Sequence, residues 1–140
     1  MIGIKGVQQE ITWLMYENGE TGIKFYYPPG TSVSEYSYTN ENGAVFSVDV
    51  YDPVLHSSIF NGYLESSSCA YSGIKGEKVT VASTTFDHFT DDYGGDVIYD
   101  RYKVNKNGGC YNINLSYLRN NASSKEKAEN ILKSIVFTSF

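Results

Sequence analysis

Positive charge is scarce in this 140-residue sequence. Lys and Arg number 11 against 16 Asp and Glu, which gives a formal net charge of −5 at pH 7, and the basic residues form no run. A protein binds a phosphate backbone when Lys and Arg neutralise the phosphates and release their counterions. We therefore expect no nucleic-acid partner.

Long apolar stretches are also absent. No run approaches the roughly 20 residues that a membrane helix needs, so we expect no membrane insertion by this segment. Residues 1–10 lack the basic start and apolar centre of a signal peptide, and we interpret them as an N-terminal extension or linker. Residues 11–140 are undivided by any Pro/Ser-rich stretch, which predicts a single domain.

Cysteine and histidine are too few and too dispersed to predict a structural zinc site. Such a site needs close pairs of Cys or His ligands, whereas Cys69, Cys110, His56 and His88 lie far apart in sequence. The two cysteines either form one disulfide in an oxidising compartment or are two small buried apolar residues. Their spacing does not decide between these alternatives.

Tyrosine, in contrast, is abundant, with 13 Tyr beside 7 Phe. Short aromatic and β-branched runs bounded by Gly, Asn and Pro predict antiparallel strands. The predicted strands are residues 11–16, 22–27, 44–51, 79–90 (as one strand or two), 98–104 and 110–118. Residues 31–43 are predicted to be a polar connection.

Two helices are predicted. Asp52 suits an N-cap and Pro53 the first helical position, and the apolar residues that follow recur at helical spacing, which predicts a helix over 53–68. Near the C-terminus, Ser123 and Glu126 have the spacing of a capping box. The apolar stripe behind them consists of Ala128, Ile131, Leu132 and Ile135.

After the second helix the apolar period changes from that of a helix to that of a strand, so that Ile135 and Phe137 share a face. These elements together predict an α+β fold with a single antiparallel sheet of about six or seven strands flanked by helices. The chain is predicted to end in a helix followed by a strand.

Two groups of residues are candidate binding sites. Tyr side chains combine a broad apolar face with a hydroxyl, so a surface containing Tyr36, Tyr38, Tyr93 and Tyr99 could stack against a sugar or peptide. Tyr is also an ordinary strand residue, which is the structural alternative.

The second group is an acidic turn. Asp91, Asp92 and Asp96, around Gly94 and Gly95, could supply oxygen ligands to weakly bound calcium. The spacing does not match an EF-hand. The alternative is a solvated hairpin turn.

No convergent catalytic set is visible. His88 and Asp87 are adjacent on a predicted strand and so point to opposite faces, and no Gly-x-Ser-x-Gly elbow or P-loop is present. We predict a protein that is not an enzyme and has no cofactor. A hydrolase stays as an alternative, and it would require a pocket in which Cys, His or acidic side chains converge.

Three segments resemble the PsbP-like superfamily. Gly22-Ile23-Lys24-Phe25-Tyr26-Tyr27-Pro28 is similar to its early strand end, and Ile131-Leu132-Lys133-Ser134-Ile135-Val136-Phe137 to its closing helix and strand. Residues 99–104 and 107–113 resemble the paired strands before that helix. The resemblance implies a sheet sandwiched by helices.

Members of this superfamily include a photosystem II extrinsic subunit, a nuclear Ran-binding protein and bacterial secreted proteins or lipoproteins, and none is typically an enzyme. No position here matches a functional motif of these members, so no site residue is carried over. The resemblance and composition together predict a non-catalytic, extracytoplasmic accessory domain that binds a protein or glycan, secreted or membrane-anchored, with its leader or anchor missing from this chain. An alternative is a carbohydrate- or cell-wall-binding module that uses exposed Tyr residues.

Overall fold

The computed structural model describes residues 13–41, 43–65, 69, 76–106 and 108–138, and these ranges contain ten β-strands and one α-helix. The strands are β1 (Leu14–Asn18), β2 (Ile23–Tyr27), β3 (Ser32–Asn40), β4 (Gly43–Asp52), β5 (Ser57–Glu65), β6 (Glu77–Val81), β7 (Thr84–Asp92), β8 (Val97–Lys106), β9 (Gly109–Leu118) and β10 (Val136–Phe137), and the helix is α1 (Ala122–Lys133).

The strands form two antiparallel sheets. The larger sheet has seven strands in the order β3-β4-β5-β9-β8-β7-β6, and the smaller has three in the order β1-β2-β10. The predicted α+β fold, a single sheet flanked by helices, is therefore wrong. The sheet sandwiched by helices that the PsbP-like resemblance implies is wrong for the same reason. The described part of the protein is mostly β, with one short helix near its C-terminal end.

The helix predicted over 53–68 accounts for much of this error. Asp52 caps a tight turn instead of a helix, since its Oδ1 accepts a hydrogen bond from the Val54 amide at 3.0 Å. The turn ends at His56, whose φ of 54° is left-handed, and β5 follows. Residues 66–68 lie outside the described residues.

The central position of β5 explains why a strand forms there. It pairs with β4 on one side and β9 on the other, so that Phe60, Gly62 and Leu64 share one face. Local helical spacing was outweighed by backbone pairing on both sides of the strand, because tertiary pairing commonly overrides weak local propensity. Gly62 fits beneath its neighbours, since an added Cβ would lie 3.4 Å from both Ile113 Cδ1 and Phe60 Cε1.

The segment predicted as a polar connection is also a strand. β3 pairs with β4 along its whole length, from Ser32 opposite Tyr51 to Asn40 opposite Gly43. It forms one edge of the large sheet. An edge strand is polar on both faces when little covers it, so it lacks the alternation that identifies a half-buried strand.

The remaining strand predictions are confirmed. The first predicted hairpin is β1 and β2, the second is β8 and β9, and β4 covers the predicted strand at 44–51. The uncertain segment 79–90 lies in two strands, β6 and β7, joined by a turn in which Ala82 and Ser83 have positive φ. Residues 11 and 12 lie outside the described residues.

One face of the large sheet packs against the small sheet and α1, and we call it the inner face. At its centre, the fully buried Phe25 of β2 has its ring centroid 4.8 Å from that of Phe60 and 5.0 Å from that of Tyr16. The helix contributes Ala128 and Ile131 to the same core. Because strand side chains alternate, every second residue of the large sheet points the other way, onto a face that we call the outer face.

The helix begins at a different cap from the one predicted. Asn121 is the N-cap, and its side chain accepts a hydrogen bond from the Ser124 amide at 2.9 Å. The capping box of Ser123 and Glu126 is therefore wrong, although the predicted apolar stripe is buried. The predicted final strand is confirmed as β10, which pairs with β2 of the small sheet.

This cap gives a direct test of the helix start. Asn121→Ala is expected to lower the free energy of unfolding by about 1 kcal/mol, because one amide at the helix start loses its partner. Ser123→Ala, two residues away and exposed, is the matched control and should leave stability unchanged. Urea denaturation of both variants measures the difference. Equal losses of stability in the two variants would show that Asn121 is not the N-cap.

Candidate functional site

A row of polar side chains crosses the outer face of the large sheet. Strand register places Asp49 opposite Asn61, Asn61 opposite Asn114, and Asn114 opposite Arg101. The four residues come from β4, β5, β9 and β8, which are neighbours in the sheet. We call them, with Ser47 of β4, the polar row.

Hydrogen bonds join the members of the polar row. The Asn61 amide donates to Asp49 Oδ1 at 2.5 Å and to Ser47 Oγ at 3.1 Å. Its oxygen accepts from the Asn114 amide at 3.2 Å, and the Asn114 oxygen accepts from Arg101 Nη1 at 3.1 Å. The carboxylate at one end and the guanidinium at the other thus fix the direction of both amides.

Two of the four candidate binding tyrosines lie at the β3 end of this row. Tyr36 and Tyr38 lie two positions apart on β3, on the same face, and each is 50% exposed. The Tyr36 hydroxyl donates to Asp49 Oδ2 at 3.4 Å. Register places Tyr36 opposite Ser47 and Ser47 opposite Tyr63 of β5.

Tyr63 completes a cluster that the sequence did not single out. Burial, and then the charge of the nearby Glu65 carboxylate, raise the pKa of the Tyr63 hydroxyl, while Arg101 opposes them. Tyr38 also acts on it electrostatically, and strand register places Tyr36, Tyr38 and Tyr63 on the same face of the sheet. We call Tyr36, Tyr38 and Tyr63 the tyrosine cluster.

The other two candidate tyrosines lie on strands toward the opposite edge of the sheet. Tyr99 is on the outer face of β8, with the Arg101 guanidinium carbon 5.6 Å from its ring centroid. The ring of Tyr93, 76% exposed in the turn after β7, is 6.3 Å from that of Tyr99. β3 and β8 are four strand spacings apart, about 19 Å. The four residues therefore form two separate pairs and not one patch.

The acidic turn is held by arginines. Asp91 accepts from Arg101 Nε, and Asp92 accepts from Arg119, whose Nη1 lies 2.8 Å from its Oδ2. The bonds from Arg119 and from the Gly94 amide hold the pKa of Asp92 at about 2. The Arg119 amide also donates to the Asp96 carbonyl at 2.8 Å. Over the described ranges, no group of three or more His, Cys, Asp and Glu side chains is arranged to hold a metal ion.

The two cysteines form a disulfide, which resolves the alternative that the sequence left open. Cys69 is bonded to Cys110 of β9, and the Cys69 amide donates to Asn105 Oδ1 at 2.8 Å. Neither cysteine keeps a thiol. The bridge lies beside Asn112, which is buried on the outer face and donates to Glu65 Oε1 at 3.1 Å.

His88 has a buried partner that the sequence did not indicate. Its Nε2 lies 2.9 Å from Oδ1 of Asp100, a residue of the next strand, and its Nδ1 lies 3.6 Å from Glu77 Oε1. Asp100 also accepts from Thr90 at 2.8 Å and from Tyr117 at 2.6 Å. Both ring nitrogens of His88 thus face carboxylates. Only the register of β7 and β8 reveals this cluster, since the pair is 12 positions apart.

Comparison with known proteins gives one structural match and no functional one. No family model matches the chain, and no curated protein does. The crystal structure of a protein from Bacteroides thetaiotaomicron is similar, with a TM-score of 0.52 and 10% sequence identity over 88% of this chain and 47% of that chain. This chain thus spans about half of the Bacteroides protein, and the likeness shows the fold alone. Over the described residues, no helix has the length and apolarity to cross a bilayer.

Proposed function

We propose that this chain is a non-catalytic, extracytoplasmic domain that binds a carbohydrate on the outer face of its large sheet. The observation that carries the proposal is the position of two half-exposed rings, Tyr36 and Tyr38, beside a row of hydrogen-bonded Asp, Asn and Ser side chains. A sugar has an apolar C–H face and a rim of hydroxyls. It therefore needs aromatic and polar groups side by side.

The chemistry of each group suits this role. The Tyr36 and Tyr38 rings offer apolar faces for the sugar ring. The hydroxyl groups of a sugar both donate and accept hydrogen bonds. The Asp49 carboxylate can accept from them, and the tyrosine hydroxyls can both donate to them and accept from them. Because Asp49 is already held by Asn61, binding would order few side chains, which lowers the entropy cost of association.

Two further observations support the proposal. A disulfide such as Cys69–Cys110 is typical of oxidising compartments, which favours an extracytoplasmic location. A non-catalytic role is favoured because the ring nitrogens of His88 face Asp100 and Glu77, and neither cysteine has a thiol to act as nucleophile. A nucleophile and base pair requires a hydroxyl or thiol at a histidine nitrogen.

Glycan binding tests the proposal. The whole chain would be applied to an array of bacterial and plant cell-wall glycans, and the best binder measured by calorimetry. Tyr36→Ala is expected to weaken binding about tenfold, since an aromatic contact contributes about 0.5–1.5 kcal/mol beyond the area that it buries. Tyr36→Phe, which keeps the ring, should retain most of the affinity.

The matched control is Tyr26→Ala, which removes an exposed ring from β2 in the small sheet. It should bind like the wild type. No binding to any glycan on the array, or equal losses for Tyr26→Ala and Tyr36→Ala, would reject the proposal. Shortening of the bound glycan during incubation would instead favour a hydrolase.

A further inference from the structure

A cleft opens between the two sheets, on the opposite side of the large sheet from the polar row. Its volume is about 600 Å³. The β1–β2 turn forms one wall with Asn18 and Thr21, and Phe46 and Leu64 of the large sheet form an apolar floor.

Hydrogen bonds hold the walls of the cleft in place. The Tyr111 hydroxyl donates to the carbonyl of Thr21, which fixes the turn to β9. The Asn18 side chain accepts from the Glu20 and Thr21 amides at 2.9 and 3.0 Å. The cleft is therefore built into the fold.

The charge of the cleft has one sign. Glu20, Glu35 and Glu65 are among the described residues that line it, and these include no Lys, Arg or His. Glu65 is turned toward Asn112 on the outer face, so Glu35 and Glu20 supply the charge. The Glu35 carboxylate is positioned by the Tyr16 hydroxyl, which donates to its Oε2 at 2.6 Å.

We propose that this cleft binds a small alkylammonium ligand, a primary amine on an apolar chain. The ammonium group would lie at the Glu35 carboxylate and the chain on Phe46 and Leu64. A cavity of about 600 Å³ falls within the range of small-molecule pockets, roughly 300–1,000 Å³. The attraction between the ammonium group and the carboxylate would add to the apolar contact of the chain with Phe46 and Leu64.

The apolar floor sets the preference among cations. Each methylene buried on it strengthens binding about fourfold, so an alkylammonium ion should bind better than methylammonium or a hydrated metal ion. The carboxylates set the preference among apolar ligands, because they attract ammonium and repel an anion of the same length.

Titration of the isotope-labelled whole chain, followed by nuclear magnetic resonance, tests the proposal with hexylammonium chloride as probe. Saturable shifts are expected at Phe46 and Leu64. Hexanol and methylammonium should bind at least about tenfold more weakly, and hexanoate should not bind. Raising NaCl from about 50 to 500 mM should weaken hexylammonium binding, since salt screens the attraction.

Glu35→Gln is the informative variant, because its side-chain oxygen can still accept from Tyr16. It should weaken hexylammonium binding about tenfold. Glu20→Gln, in the exposed turn, should also weaken hexylammonium binding. It tests the proposal independently if Glu35→Gln is unstable. Glu126→Gln, on the exposed face of α1, is the control and should bind like the wild type.

Three results would overturn the proposal: no saturable shift at Phe46 or Leu64, hexanol binding as tightly as hexylammonium, or wild-type affinity in both Glu35→Gln and Glu20→Gln. The site is separate from the tyrosine cluster. Tyr36→Ala should therefore leave hexylammonium binding unchanged, and the two proposals succeed or fail independently.

Discussion

Replacing Cys69 and Cys110 together with alanine is expected to lower the free energy of unfolding by about 4 kcal/mol. The bridge closes a loop between residues 41 positions apart, and a loop of that length restricts the unfolded chain by about this amount in the chain-entropy treatment. The loop contains β6, β7 and β8. Without the bridge, the unfolded state gains freedom while these strands keep their ladders.

Equilibrium unfolding in urea measures this loss, with and without dithiothreitol. The wild type should lose stability when reduced, whereas the double alanine variant should be equally stable in both conditions. That comparison separates the bridge from the packing of the buried Cys110. A loss below about 1 kcal/mol would mean that the bridge constrains the unfolded chain little. Retained glycan binding by the reduced, folded protein would show that the outer face does not depend on the bridge.

Periodicity predicted those strands whose two faces differ. β9 alternates between buried Tyr111, Ile113 and Leu115 and polar residues between them, so its pattern is readable without a structure. β5 is different, since it carries Ile59 next to Phe60, both fully buried. Adjacent apolar residues with others three and four positions on also fit a helix. Only pairing with two neighbours, which the sequence does not display, decides for a strand.

The candidate site was predictable in its residue types and not in its arrangement. Tyr36 and Tyr38 could be named because a Tyr side chain combines a broad apolar face with a hydroxyl. The polar row could not, because Asn61 and Asn114 are 53 positions apart and come together only through the pairing of β5 with β9. Single Asn residues in strands carry no signal of their own.

Substituting Asp100 gives the second large expected effect. Asp100 is 5% exposed and accepts hydrogen bonds from Tyr117, Thr90 and His88. Asp100→Ala is expected to lower the free energy of unfolding by about 3 kcal/mol, because it leaves the buried hydroxyl of Tyr117 and a partly buried ring nitrogen of His88 without their acceptor. Asp100→Asn keeps the shape and one acceptor, so a loss of about 1 to 2 kcal/mol is expected. Urea denaturation at pH 7 measures both.

The pH dependence of stability shows whether Asp100 stabilises the fold through its negative charge or through packing alone. Burial on its own would raise the pKa of Asp100, but the hydrogen bonds from Tyr117, Thr90 and His88 together hold this pKa below its usual value. A carboxyl whose pKa is lower in the folded state stabilises the fold above its unfolded pKa of about 4, and this stabilisation is lost as the pH falls through the folded pKa. The difference in stability between the wild type and Asp100→Asn should therefore shrink as the pH falls below about 4. A difference that stays the same down to pH 2 would assign the role of Asp100 to packing alone.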